Sequence, residues 1–222
     1  MISIQIENAI REKCPDLRIA SIECSVTNSS YSPELWEEIR NFSDEFVRNY
    51  QIEDINRRPA IQATRQAYKL LGKDPNRYRP SAEALCRRLL RNIPLYQINT
   101  LVDLINLVSI HSGYSIGGFD ADRIEGNLRL GAGKPEEVFH AIGRGPLNIE
   151  NLPIYRDEKG GIGTPTSDEE RTKISVDTKR LLMIINAYSG ENGLKEAIEF
   201  TQTLLTNYVL VDQNNDFQIN LY

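Results

Sequence analysis

Residues 98–122 read INTLVDLINLVSIHSGYSIGGFDAD, and this stretch decides what kind of fold the chain can adopt. Its first half is apolar almost all round, with Ile98, Leu101, Val102, Leu104, Ile105, Leu107, Val108 and Ile110. Asp103, Asn106 and Ser109 interrupt it at three-residue steps. Each such step advances a helix by about 300°, a drift of about 60° from a full turn, so the three form one polar stripe. A helix that is apolar on its other sides belongs inside the protein. Its stripe must then find partners or line a wet cavity, because a buried polar group left unpaired costs roughly 2–7 kcal/mol. Gly113 ends the helix, and the pair Gly117-Gly118 before Phe119-Asp120 allows a ligand or another strand close to the backbone.

Working outward, residues 2–13 suggest a short helix, followed by a strand from about Leu17 to Val26. Ser32-Pro33 reads as an N-cap and first helical position. Leu35, Ile39, Phe42 and Phe46 then supply one buried face. A helix over Ile61–Leu71 ends at Gly72, a turn follows at Asp74-Pro75-Asn76, and Ser81 caps a second helix running to Asn92. On that helix Leu85, Leu89 and either Ala82 or Cys86 face inward, while Glu83, Arg87 and Arg91 share one side. Strand-like pieces at Asn127–Leu130, Ile154–Arg156 and Gly161–Gly163 are joined by loops rich in glycine and proline. Arg180–Ala187 reads as a strand buried on both faces, Gly190–Tyr208 as an amphipathic helix, and Asp216–Leu221 as an edge strand.

The chain has 222 residues and a net charge of −5, with the charge unevenly spread. Residues 57–91 carry 10 basic and 2 acidic side chains, between an N-terminal stretch and a C-terminal stretch that are both acidic. A local basic field of this kind matters to a polyanion more than the total does. The block reads either as solvated surface or as an RNA contact in which Arg77, Arg79, Arg87 and Arg88 meet phosphates and Tyr68 and Tyr78 stack on a base. Three widely spaced cysteines, Cys14, Cys24 and Cys86, read as reduced thiols of a cytoplasmic protein. The start MISIQIENAIREKCPD lacks the pattern of a secretory signal, and no run nears the roughly 20 apolar residues of a membrane span. His111 and His140 stand apart, so no metal site is expected. Gly131-Ala132-Gly133-Lys134 fails as a phosphate loop because Pro135 follows the lysine, and no cofactor is expected. No GxSxG occurs.

Val102-Asp103, Asn106 and Gly117-Gly118-Phe119-Asp120, in that order, resemble the tRNA-binding and editing domain of the bacterial phenylalanyl-tRNA synthetase beta subunit, whose pattern ends in a small-residue turn. The run from Arg65 to Leu90 and the segment DEKGGIGTPTSDEERTKISVDT (157–178) extend the likeness, which can be followed from about residue 57 to 186. Residues 1–56 read as scaffold within one domain spanning 1–222. Relatives of this domain that stand free of the synthetase also exist, and this chain looks like one.

The resemblance implies an α+β fold of mixed β-sheets with helices packed against them, layered sheet–sheet–helix. It also implies a partner, the acceptor end of tRNA or an aminoacyl-tRNA, and hydrolysis of misacylated tRNA in trans. An aminoacylating activity is not implied. Asp103, Asn106, Ser109, Gly117, Gly118 and Asp120 become the candidate pocket, Arg171 and Thr172 its rim, and Asp168 with Asn106 the candidate catalytic groups. The synthetase pattern carries a histidine where this chain has Gly117. The alternatives are a network that merely fixes the central helix, and a small-molecule binder that kept an amino-acid pocket and lost RNA chemistry.

Overall fold

The computed structural model describes residues 1–209 and 217–222. The first part of the chain is β1 (Ile4–Ile6), α1 (Asn8–Lys13), β2 (Arg18–Ser25), α2 (Pro33–Asn49), α3 (Pro59–Leu71) and α4 (Ser81–Leu89). The centre is α5 (Thr100–Ser112), β3 (Ser115–Asp120), β4 (Leu128–Ala132), β5 (His140–Ala141) and β6 (Gly145–Pro146). Then follow β7 (Pro153–Arg156), β8 (Gly161–Thr164), β9 (Ser167–Asp168), β10 (Arg180–Ala187), α6 (Leu194–Tyr208) and β11 (Gln218–Leu221).

Two main sheets form, in the orders β1-β4-β7-β8-β9 and β11-β2-β10-β3, with β5 and β6 as a small hairpin. β10 is the central seam of the second sheet, antiparallel to β2 (Arg180 opposite Ser25) and to β3 (Leu181 opposite Asp120). The strand period of two sorts its side chains into two cores. Leu181, Met183 and Ile185 join α5 residues Leu101, Leu104 and Val108, together with Leu35 of α2 and Leu205 of α6. Leu182 and Ile184 instead meet Ile4, Leu128, Leu130 and Ile162 of the facing sheet. The fold is therefore α+β, in the expected sheet–sheet–helix layers. No helix among the described residues is long and apolar enough to cross a membrane.

Several local expectations hold. Ser32 accepts the Leu35 N–H at 3.2 Å and caps α2. Gly72 and Gly113 end α3 and α5 with φ of 94° and 83°, the left-handed geometry that glycine adopts without strain. The three cysteines are free and buried.

Others need correction. Residues 2–13 are a strand followed by a helix, because Ile4–Ile6 is captured by a parallel pairing with Leu128–Leu130. α4 ends at Leu89, short of Asn92, and is entered from Pro80 without a side-chain cap. On its inner face both Ala82 and Cys86 are buried beside Leu89, and Leu85 is only partly so. The final helix begins at Leu194, not Gly190. β11 is the edge strand expected, although Asp216 lies outside the described residues. Gly117-Gly118 is not a turn; both residues lie within β3 and pair with Ile184 and Met183.

Candidate functional site

α5 is positioned by reciprocal capping. Asn99 accepts the Val102 N–H at 3.1 Å, and Asp103 reaches back to the Ile98 N–H at 2.9 Å. Asp103 also accepts the Trp36 indole N–H at 2.8 Å. Burial pushes the Asp103 carboxyl above its ordinary range, while these two donors pull it down. Ser109 donates to the Tyr114 carbonyl at 2.7 Å. Two members of the polar stripe thus fasten the helix to its neighbours. The third, Asn106, is half-buried, and its amide has no protein partner among the described residues.

Asn106 opens instead on two adjoining hollows. The first, about 360 Å³, lies between α4, α5 and β3, with walls that include Leu85, Val102, Ile105, Ile116, Ile142 and Ile174. Its polar lining comes from Ser81, Asn106, Ser109, Asp168 and Lys173. The second, about 320 Å³, is a groove lined by Arg79, Arg87, Arg88, Arg91 and Arg144, with Tyr96, Ile93 and Thr166. Ser81, Leu85 and Asn106 belong to both, so the apolar pocket and the basic groove meet along one wall.

Asp168, from the edge strand β9, accepts the Gly118 N–H of edge strand β3 at 3.2 Å. Burial pushes its carboxyl up to about 7, with the Gly118 hydrogen bond pulling the other way. The Lys173 ammonium in the same wall is held by Glu170 at 2.6 Å.

The glycine pair divides its work between two layers. A Cβ at Gly118 would sit 2.6 Å from Ile105 Cδ1, so its absence lets the strand lie against α5 at the pocket wall. A Cβ at Gly117 would sit 2.7 Å from the ring of Phe119, which also abuts Gly163. Phe119 is fully buried. Any side chain at position 117 therefore requires the Phe119 ring to shift. Gly117→Ala is expected to lower stability by about 1–3 kcal/mol through overpacking, readable as a shifted urea midpoint; an unchanged midpoint would contradict this packing.

Among the described residues, Gly117, Asp120, Arg171 and Thr172 stand outside both walls. Asp120 accepts from Thr178 at 3.0 Å and from the Asp122 N–H. Arg171 grips Asp157 through two bonds of 2.9 Å. Burial raises Asp157, but Arg171 and the N–H groups of Glu125 and Lys159 outweigh it and hold the carboxyl below its usual range. Thr172 is fully buried. The lysine one position on, Lys173, occupies the wall that the sequence reading gave to Arg171 and Thr172.

The basic block is also rearranged. Glu83 is 1% exposed, not a surface residue, and three arginines converge on it: Arg65 at 2.7 Å, Arg87 at 2.8 Å and Arg79 at 3.4 Å. Arg77 is exposed beside Tyr78 and away from the groove walls. Tyr68 is buried with its hydroxyl on Thr166, and Tyr78 is half-buried against the cluster of Phe139, Ile149 and Leu152 and does not line the groove, so neither is the groove's stacking surface. The exposed aromatic residue of the groove is Tyr96, which sequence reasoning missed because the acidic-to-basic contrast ends at residue 91. Arg144 was missed likewise, lying far from the block in sequence.

The family described as the B3/4 domain matches residues 63–203. A phenylalanine–tRNA ligase beta subunit from Bartonella henselae is 32% identical over 116 residues, which is 51% of this chain and 14% of that relative. One from Fusobacterium nucleatum is 28% identical over 131 residues, 57% of this chain and 16% of that relative. The chain thus spans about a seventh of the length of these curated relatives. Among solved structures, an N-terminal fragment of the phenylalanyl-tRNA synthetase beta subunit from Pyrococcus horikoshii aligns with a TM-score of 0.48 and 11% identity, covering 98% of this chain and 54% of that one.

Proposed function

This chain belongs to the B3/4 domain family, and from that premise we propose that it binds the acceptor end of an aminoacyl-tRNA and hydrolyses misacylated tRNA in trans. The observation that carries the reading is the shared wall: an apolar pocket for a side chain opens directly onto a groove with five arginines for phosphates. With the RNA end in the groove, the ester lies near Asn106 and Asp168. Asp168, as carboxylate, takes a proton from water as the oxygen attacks the ester carbonyl. Asn106 donates to the developing oxyanion, the ester C–O bond breaks, and Asp168 returns the proton to the departing ribose oxygen, which leaves as the terminal hydroxyl with the amino acid freed. No histidine takes part.

The test is a filter-binding titration against bulk tRNA at two salt concentrations, followed by deacylation of Tyr-tRNA(Phe). Each phosphate contact contributes a slope of about 0.7–0.9 in log affinity against log salt. Three to five arginine contacts then predict a loss of about 20- to 500-fold between roughly 50 and 200 mM salt. No binding at low salt overturns the proposal. Binding without deacylation reduces it to a binding module. The ion pairing of Arg79 and Arg87 by Glu83 favours a second reading, a small-molecule binder that uses the pocket alone. That reading predicts saturable binding of a free amino acid with no affinity for tRNA.

A further inference from the structure

The loop after α4 carries a surface that the pocket does not need. Asn92, with φ of 55°, turns the chain out of the helix, and the Ile93 N–H returns to the Arg88 carbonyl at 3.1 Å. Arg88 then donates from Nε to the Pro94 carbonyl at 2.5 Å, and its guanidinium lies 3.8 Å from the centre of the Tyr96 ring. At its far end the loop is pinned by the Ile98 N–H on Asp103. One ring face of Tyr96 is therefore covered by a cation, while the residue keeps 57% of its surface exposed. Arg88, Arg91 and Arg144, which line the same groove, have no carboxylate partner among the described residues.

We propose that Tyr96, held by Arg88, is a stacking platform for an unpaired nucleobase, with Arg91 and Arg144 binding the adjoining phosphates of a single-stranded RNA 3′ end. An aromatic ring in a basic groove suits any base with a free π-face, whereas a base stacked within a duplex offers none. Arg88 keeps the ring from collapsing onto the apolar wall, so the platform exists before RNA arrives. The proposal deepens the tRNA-binding reading and rests on it.

Fluorescence titration of a labelled RNA duplex with a four-nucleotide 3′ overhang, against the same duplex with blunt ends, tests it on the whole chain. The overhang is expected to bind at least tenfold more tightly. Tyr96→Ala should lose about tenfold or more of overhang affinity with an unchanged salt slope, and Tyr96→Phe should retain it. Arg91→Gln with Arg144→Gln should reduce the salt slope by about 1.4. Tyr96 is not part of a core, so far-ultraviolet circular dichroism should match the parent for each variant. Equal affinity for blunt and overhanging duplexes, or no effect of Tyr96→Ala while tRNA still binds, overturns the platform and leaves the tRNA reading standing. Absence of any RNA binding at low salt overturns both. Displacement of the overhang by AMP at equimolar concentration would assign the surface to a free nucleotide and overturn the RNA-end proposal.

Discussion

Glu83→Ala should cost this protein about 3–5 kcal/mol of stability, the range for removing one partner of a buried ion pair. For a chain of this size that corresponds to a fall in midpoint temperature of about 10 °C or more. The carboxylate is 1% exposed, and Arg65 and Arg87, at 2.7 and 2.8 Å, are themselves nearly buried, with side chains 14% and 15% exposed. Removing it leaves two guanidinium groups enclosed without a counter-charge. Their other contacts are neutral: Arg65 donates to the Pro75 carbonyl and Asn76, Arg87 to the Ile52 carbonyl and Asn56. The Arg65–Glu83 pair ties α3 to α4, and Arg87 ties α4 to the 52–56 segment, so the loss spreads beyond one helix. Glu83→Gln keeps the shape and part of the hydrogen bonding and should cost less than the alanine change. Thermal and urea unfolding of the two variants decide the matter. A loss below about 1 kcal/mol for alanine would be the behaviour of an exposed pair and would contradict the buried cluster.

The same cluster shows where the sequence is informative. Elements whose partners come from their own pattern could be read directly: β10 from an unbroken apolar run, α2 from Ser32-Pro33 and its spaced apolar face, α5 from Gly113 and its polar stripe. The i,i+4 spacing of Glu83 and Arg87 was visible too, but not its burial. That depends on Arg65 arriving from another helix and Arg79 from the preceding turn. β1 was hidden because three residues are too few to display a period, and its parallel partner lies more than a hundred residues away. The resemblance implied a small-residue turn at Gly117-Gly118, yet the space that requires glycine there is set by Phe119 on one face and Ile105 on the other. The polar stripe of α5 was legible as a line of three residues. Which of them reaches the hollow was not: Asp103 and Ser109 are engaged by Trp36 and Tyr114, and those contacts are long-range or turn-specific.

Asp168 links the pocket to pH, and Asp168→Asn should separate its effects on stability and on chemistry. The folded carboxyl titrates at about 7 and the unfolded one near 3.8. Between these values the folded state binds more protons than the unfolded state, so stability falls as pH rises. The favourable contribution is complete below about pH 4 and gone above about pH 7. Asparagine does not ionise and still accepts the Gly118 N–H, so the variant should gain on the parent through this window. From pH 5 to 8 the gain is on the order of 1–3 kcal/mol, read as diverging urea midpoints. Lys173, the other charged group in the pocket wall, is paired with Glu170. Under the proposed reaction the parent's deacylation rate should rise with an apparent pKa of about 7, as the base becomes carboxylate. Asp168→Asn should be at least about a hundredfold slower and lose that rise, while tRNA affinity, which the proposal assigns to the arginine groove, should stay within about twofold. A variant more stable at pH 8 yet undiminished in rate would remove Asp168 from the chemistry and leave it a half-buried acid fastening the β9 edge to β3. Parallel midpoints at pH 5 and 8 would instead show that its carboxyl is ionised throughout, and the proton-accepting role would then lack the raised pKa on which it depends.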